Sequence, residues 1–171
     1  MTPMTTLDRS EAAPYYFTYI DLVSGDVLGA MKAQASDLRS ELEAITDEQS
    51  LTRYAPGKWS LREVLGHLND TERLFVSRAF WFARAFDTPL PSFEQEVAVA
   101  AAGAHERPWA SLVEEFRTIR LATLSFFTSL PEEAWSRRGI ASGNPFTVRA
   151  LAYMTVGHVM HHMTIVRERY L

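Results

Sequence analysis

Apolar residues that return every third or fourth position constrain this chain more than any other feature. From Asp26 to about Ile45, the residues Val27, Leu28, Met31, Ala35, Leu38, Leu42 and Ile45 share one face of a helix. No segment shows the alternation of a half-buried strand. Later helices are marked by their boundaries. Pro56-Gly57 is a turn, and Ser60-Leu-Arg-Glu63 reads as a capping box opening a second helix that runs to about Phe86. Pro108 suits a first helical position, and Pro131 ends that third helix after Ser129. The turn at Ser142-Gly-Asn-Pro145 leads to Thr147 as the cap of a last helix reaching almost to Leu171. Four mostly amphipathic helices bury their stripes best against one another, so the expected class is all-α, a four-helix bundle.

The remaining segments are minor. A short helix is expected near Glu94 to Ala102 and a single turn around Trp135. Residues 1–14 are expected to be a loose N-terminal segment, followed by the aromatic run Tyr15, Tyr16, Phe17, Tyr19, Ile20 lying across the bundle. At 171 residues, 47% of them hydrophobic, the chain is expected to form one domain over 1–171. Trp59-Ser-Leu-Arg-Glu-Val and Phe146-Thr-Val-Arg-Ala-Leu echo each other at the starts of the second and fourth helices.

Composition removes several functions. Cysteine is absent, which excludes disulfides, thiolate ligands and a cysteine nucleophile, and leaves histidine and carboxylate as the strong metal ligands. A net charge of −4 with scattered Lys and Arg provides no basic face for phosphates, so no nucleic-acid partner is expected. No apolar run approaches the ~18 to 20 residues of a membrane span, and the N-terminus lacks a basic-then-apolar signal pattern. The expectation is a cytoplasmic protein with no membrane partner.

Three of the five histidines crowd into Gly157-His158-Val-Met-His161-His162. At about 100° per residue, positions 158 and 162 lie about 40° apart around the helix, one turn above the other, so both imidazoles reach one ion. His161 is rotated about 100° from His162, yet the pair 158 and 161 is also geometrically open. One helix does not easily supply three ligands. His67, about two turns into the second helix, is the candidate for the third. Three neutral imidazoles satisfy a divalent zinc, nickel or iron ion and leave positions for water or substrate, whereas structural zinc takes a fourth protein ligand. His105, beside Glu106 and Arg107, is expected to be a solvated side chain.

These residues resemble a known family. Tyr54-Ala-Pro-Gly-Lys-Trp-Ser60, Val64-Leu-Gly-His67-Leu-Asn-Asp70-Thr-Glu72 and Gly157-His158-Val-Met-His-His162 are similar to motifs of the DinB-like (YfiT-like) metalloenzyme superfamily. Asp87-Thr-Pro-Leu-Pro91 and Ser142-Gly-Asn-Pro145 extend the likeness over nearly the whole chain. The resemblance implies an up-down-down-up bundle, commonly a homodimer, with one divalent ion held by His67, His158 and His162. It makes His161 a neighbour of the site. Related branches act as thiol-dependent S-transferases or isomerases, using thiols such as bacillithiol or mycothiol as co-substrate, or are regarded as hydrolases. Either chemistry follows if the ion lowers the pKa of a bound water or thiol and so provides a nucleophile near neutral pH.

Other residues divide between roles. Glu63 is explained as the capping partner of Ser60. Asp70 and Glu72 either support an imidazole or a bound water, or form a solvated face. Arg73, Arg78 and Arg84 are expected mainly as surface charge, with an anionic substrate as the alternative. Phe75, Phe80, Trp81, Phe82 and Phe86 read as core or dimer contacts, and Met154, Met160 and Met163 as apolar walls of the site. The chain is thus expected to be a metal-dependent hydrolase or thiol transferase of small-molecule substrates. A non-catalytic metal-binding or stress-response module is the alternative, and it would show a sealed site.

Overall fold

A computed structural model describes residues 7–171. Three of the four long helices start where a capping side chain replaces the missing backbone partner. The Asp26 carboxylate accepts from the amides of Leu28 and Gly29 at the start of α2 (Val27–Glu43), and a short helix α1 (Phe17–Ile20) precedes it. Ser60 and Glu63 form the expected box at α3 (Leu61–Ala83): Ser60 Oγ accepts from the Glu63 amide and Glu63 Oε2 from the Ser60 amide. The short α4 (Gln95–Ala102) lies in the connection to α5 (Trp109–Thr128). Thr147 caps α6 (Val148–Arg169) by accepting from the Ala150 amide at 3.0 Å.

The second helix stops three residues short of Phe86. Ala85 adopts φ 61°, and the amides of Ala85 and Phe86 turn back to the carbonyls of Phe82 and Trp81. Phe86 then stacks on Trp81 with ring centroids 4.2 Å apart. This is a Schellman ending, with alanine where glycine is usual.

Inter-helix hydrogen bonds fix the directions. Asn69 and Glu72 of α3 meet Leu112 and Arg120 of α5 in the same order, so these helices run parallel. Gln34 and Glu41 of α2 meet Val156 and Arg167 of α6, again in parallel. By contrast Tyr170, just past the end of α6, donates to the Trp59 carbonyl just before α3, and Trp109 at the start of α5 donates to Leu42 near the end of α2. Those neighbours are antiparallel, and α2, α3, α5 and α6 therefore run up, down, down and up. The helices carrying the sequence echo, α3 and α6, pack side by side.

Two apolar clusters divide the bundle along its length. One contains Met31, Phe75, Phe127 and Met154, and the other Leu38, Leu68, Phe116 and Val159. On every long helix a buried or half-buried polar residue falls between them: Gln34, Glu72, Arg120 and His158. Among the described residues no helix is long and apolar enough to cross a membrane.

Two expectations about the segments outside the long helices need correction. The turn before Thr147 belongs to a β-hairpin, β1 (Arg138–Ala141) paired antiparallel with β2 (Asn144–Thr147). Ser142 and Gly143 both take positive φ, 51° and 73°, as a tight two-residue hairpin turn requires. Gly139 is packed so closely on the Phe82 ring that a Cβ would overlap it. Four-residue strands are too short to display a period, which is why the sequence hid them. Secondly, residues 1–6 of the supposedly loose segment lie outside the described residues, but from Leu7 onward the chain is fastened. Glu11 is buried, accepts from Thr147 Oγ1 at 2.9 Å, and is paired with Arg149. The aromatic run does lie on the bundle. Gly157 meets the Tyr19 carbonyl so closely that any side chain there would displace it.

Candidate metal centre

The capping box sets the phase of α3, placing His67 two turns in and on the side facing α6. His67 is only 3% exposed, and His158 is 5% exposed. The Nε2 atoms of His67 and His162 lie 3.2 Å and 3.1 Å from Nε2 of His158, and the three donors all fall within 4.8 Å of one another. An sp² ring nitrogen has one in-plane lone pair or one hydrogen, so His158 Nε2 cannot form two good hydrogen bonds at once. A cation at the centre satisfies all three lone pairs. The two separations from His158 suit one, because two nitrogens bound to zinc at the tetrahedral angle, each about 2.0–2.1 Å from it, sit about 3.3 Å apart.

Burial keeps these lone pairs free. It pushes the His67 pKa down to about 4 and that of His162 to about 3, with the other histidines adding to the shift at His162. His158 is lowered well below its usual range by burial and then by its histidine neighbours. At neutral pH all three rings are neutral, the form that ligates a metal.

Aromatic rings hold the imidazoles in place. Trp59 lies against His67 with centroids 4.9 Å apart, and Tyr19 and Phe75 meet His158 edge-on at 5.3 Å and 5.8 Å. Thr71, one turn beyond His67, sits 3.4 Å from its Nδ1. In the tautomer that leaves Nε2 bare, Nδ1–H donates to this hydroxyl, a long bond that orients the ring. The sequence reading missed Thr71. Its position four after His67 was the available signal.

The structure sorts the other candidates. His161 stays outside the converging set and packs edge-on against Tyr19 and His162, so the geometric pair is 158 and 162, not 158 and 161. Glu63 caps the helix and also pairs with Arg53. Asp70 and Glu72 touch no imidazole. Asp70 pairs with Arg73, and Glu72 forms a double hydrogen bond with the fully buried Arg120. His105, expected in solvent, is half-buried with its Nδ1 2.9 Å from the Ser60 hydroxyl, which secures the start of α3. Arg78 is buried too, donating to Ser142 Oγ and the Pro91 carbonyl, and so ties the hairpin to α3. Arg73 pairs with Glu115, and Arg84 lies over the Phe80 ring. Phe75 and Phe82 are core, whereas Phe80 and Phe86 are exposed. Met154 and Met163 are buried, but Met160 is exposed in a groove between α2 and α6 and does not wall the site.

An open pocket of about 270 Å³ adjoins the cluster, with His162 in its wall beside Trp59, Val64 and Ile165. The histidines are therefore not sealed in the bundle. A ligand in this pocket would lie next to His162, the most exposed residue of the triad.

Comparison with known proteins gives these features a context. The chain is similar in structure to YfiT from Bacillus subtilis, described as a probable metal-dependent hydrolase with an unusual four-helix bundle topology. That match has a TM-score of 0.75 at 16% identity, over 96% of this chain and 91% of that one. It is also similar to a mycothiol-dependent maleylpyruvate isomerase, with a TM-score of 0.66 at 14% identity, over 81% of this chain and 58% of that one. At these identities the likeness speaks for the fold. No curated protein sequence matches significantly. The DinB superfamily model matches residues 30–166, from the first long helix through nearly all of the last and across all three converging histidines, and this chain belongs to that superfamily.

Proposed function

We propose that the protein is a metal-dependent enzyme of small molecules, and that His67, His158 and His162 hold one divalent ion, zinc, nickel or iron. The observation that carries this reading is the double contact at His158 Nε2, which a cation satisfies and hydrogen bonding does not. The open pocket favours an enzyme over an inert module, because catalysis needs coordination positions that substrate can reach. A bound ion would act as a Lewis acid, polarising a carbonyl and acidifying a water or thiol.

The chain's own residues contribute the rest. The three imidazoles are held neutral by burial, Thr71 and Trp59 fix the orientation of His67, and Trp59 with Val64 and Ile165 excludes water from one side of the pocket. Hydrolysis is the leading reaction class, because about 270 Å³ is at the small end for ligand sites and suits one small substrate with water. The likeness to a mycothiol-dependent isomerase supports a second reading, in which a low-molecular-weight thiol is the co-substrate.

Elemental analysis of the purified protein tests the ion: about one divalent metal per chain is expected, and metal-poor protein that takes up none on addition would end the proposal. Ester and amide hydrolysis is then assayed beside bacillithiol, mycothiol or glutathione with electrophiles. Turnover only with a thiol would replace hydrolysis by transfer.

A further inference from the structure

The pocket beside His162 carries a charge pattern that the metal does not explain. Lys58, in the turn before α3, and Glu96, in the first turn of α4, line the same cavity. They do not pair with each other, and among the described residues neither forms an ion pair with any other group. Glu96 is nonetheless held in position, because its Oε2 accepts from Trp59 Nε1 at 3.3 Å, which leaves Oε1 free. Trp59, Tyr54 and Tyr170 line the same pocket, the last two in edge-on contact at 5.1 Å. A carboxylate in a pocket lined by aromatic rings is a receptor for an organic ammonium, through a charged hydrogen bond and cation–π attraction. Lys58 offers the opposite charge to a carboxylate.

We propose that this pocket binds a small zwitterion, an α-amino acid or a close derivative with both groups ionised. The ammonium sits on Glu96 among the aromatic rings, the carboxylate on Lys58, and the side chain against Val64 and Ile165 toward His162. The volume, below the range of drug-sized ligands, matches a ligand of that size. The inference gives a substrate class to the site proposed above and rests on that reading for its catalytic meaning, but binding itself is separable from the metal.

The test uses the full chain in metal-free and metal-loaded form, with L-leucine, N-acetyl-L-leucine and L-leucinamide as probes, reading the indole N–H resonance of Trp59. Saturable shifts with L-leucine are expected in both forms, and each blocked analogue should bind at least about tenfold more weakly. Glu96→Gln should bring L-leucine down to the level of the N-acetyl compound, and Lys58→Met to that of the amide. Absence of a saturable shift, or equal affinity for the three probes, would overturn the proposal. So would a shift confined to metal-loaded protein and unaffected by both substitutions, since the probe would then be chelating the ion. Because the metal-free arm needs no ion, failure of the metal reading and failure of this one are distinguishable.

Discussion

Two of the buried polar clusters in this bundle are completed in opposite ways. In the first, Arg120 donates from Nε and Nη2 to Glu72 and from Nη1 to Gln34, whose own amide donates to the Val156 carbonyl. Four helices are joined, and every partner comes from the chain. In the second, His67, His158 and His162 aim three like atoms at one point. The first cluster is closed by folding. The second has burial and orientation but no complementary atom among the described residues, which is the ground for the proposed ion. The distinction is physical: a buried polar group is costly without a partner, and the two clusters differ in whether the fold provides one.

The largest effect that would break this contrast concerns the ion pair. Glu72→Ala should destabilise the protein by about 3–5 kcal/mol, because it leaves the Arg120 charge buried and unpaired. Metal uptake per folded molecule should persist, and denaturant melts with elemental analysis check both statements. A Glu72→Ala protein that folds normally but loses its metal would assign Glu72 to the wrong cluster.

His158→Ala should do the reverse. With free metal about 1,000-fold above its dissociation constant, wild-type protein gains about 4 kcal/mol on loading, and the variant should gain almost nothing. Equal gains in thermal midpoint for both would mean that the ion binds elsewhere.

Acid separates the clusters as well. The folded-state pKa values of the three histidines are lowered by burial from an unfolded value of about 6.5, so the unfolded chain binds more protons below that pH. Metal-free stability should therefore be complete above pH 6.5 and fall as the pH drops toward the folded values. The slope is up to about 1.4 kcal/mol per pH unit for each histidine. Urea midpoints between about pH 6.5 and 5, above the ordinary carboxylate range, isolate this term. His158→Ala should flatten the curve, and an unchanged slope would contradict the burial argument.

The smallest change sharpens the picture of how His67 is held. Thr71→Val keeps the shape and removes the hydroxyl near Nδ1, and should weaken metal affinity by about tenfold with little change in metal-free stability. Competition against a chelator measures it. An unaltered affinity would leave Trp59 as the element that orients the ring.

The triad shows how far local sequence reaches. His158 and His162 converge because they are one turn apart, a relation fixed by helix geometry and readable without any neighbour. Their meeting with His67 follows from α3 running antiparallel beside α6, which the family likeness implied and periodicity alone did not specify. Glu72 is more instructive. It stands five residues from His67 and looks like support for the site, yet its carboxylate is committed to Arg120 on another helix. Arg78 and His105 were read as solvent-facing and are instead fastened to a hairpin and to a helix cap, elements formed by distant segments.

The sequence by itself determined where the helices begin, through Asp26, Ser60 with Glu63, and Thr147, and which residues of each helix share a face. These follow from hydrogen bonds and dihedral preferences spanning three or four residues. Only the tertiary structure decided which polar residues satisfy one another, that the Ser142–Gly143 turn closes a hairpin, and that the histidine cluster opens on a pocket with Lys58 and Glu96. Those outcomes depend on how four helices are rotated and ordered against each other, and that order is set by the packing of whole faces, which no short stretch of chain encodes.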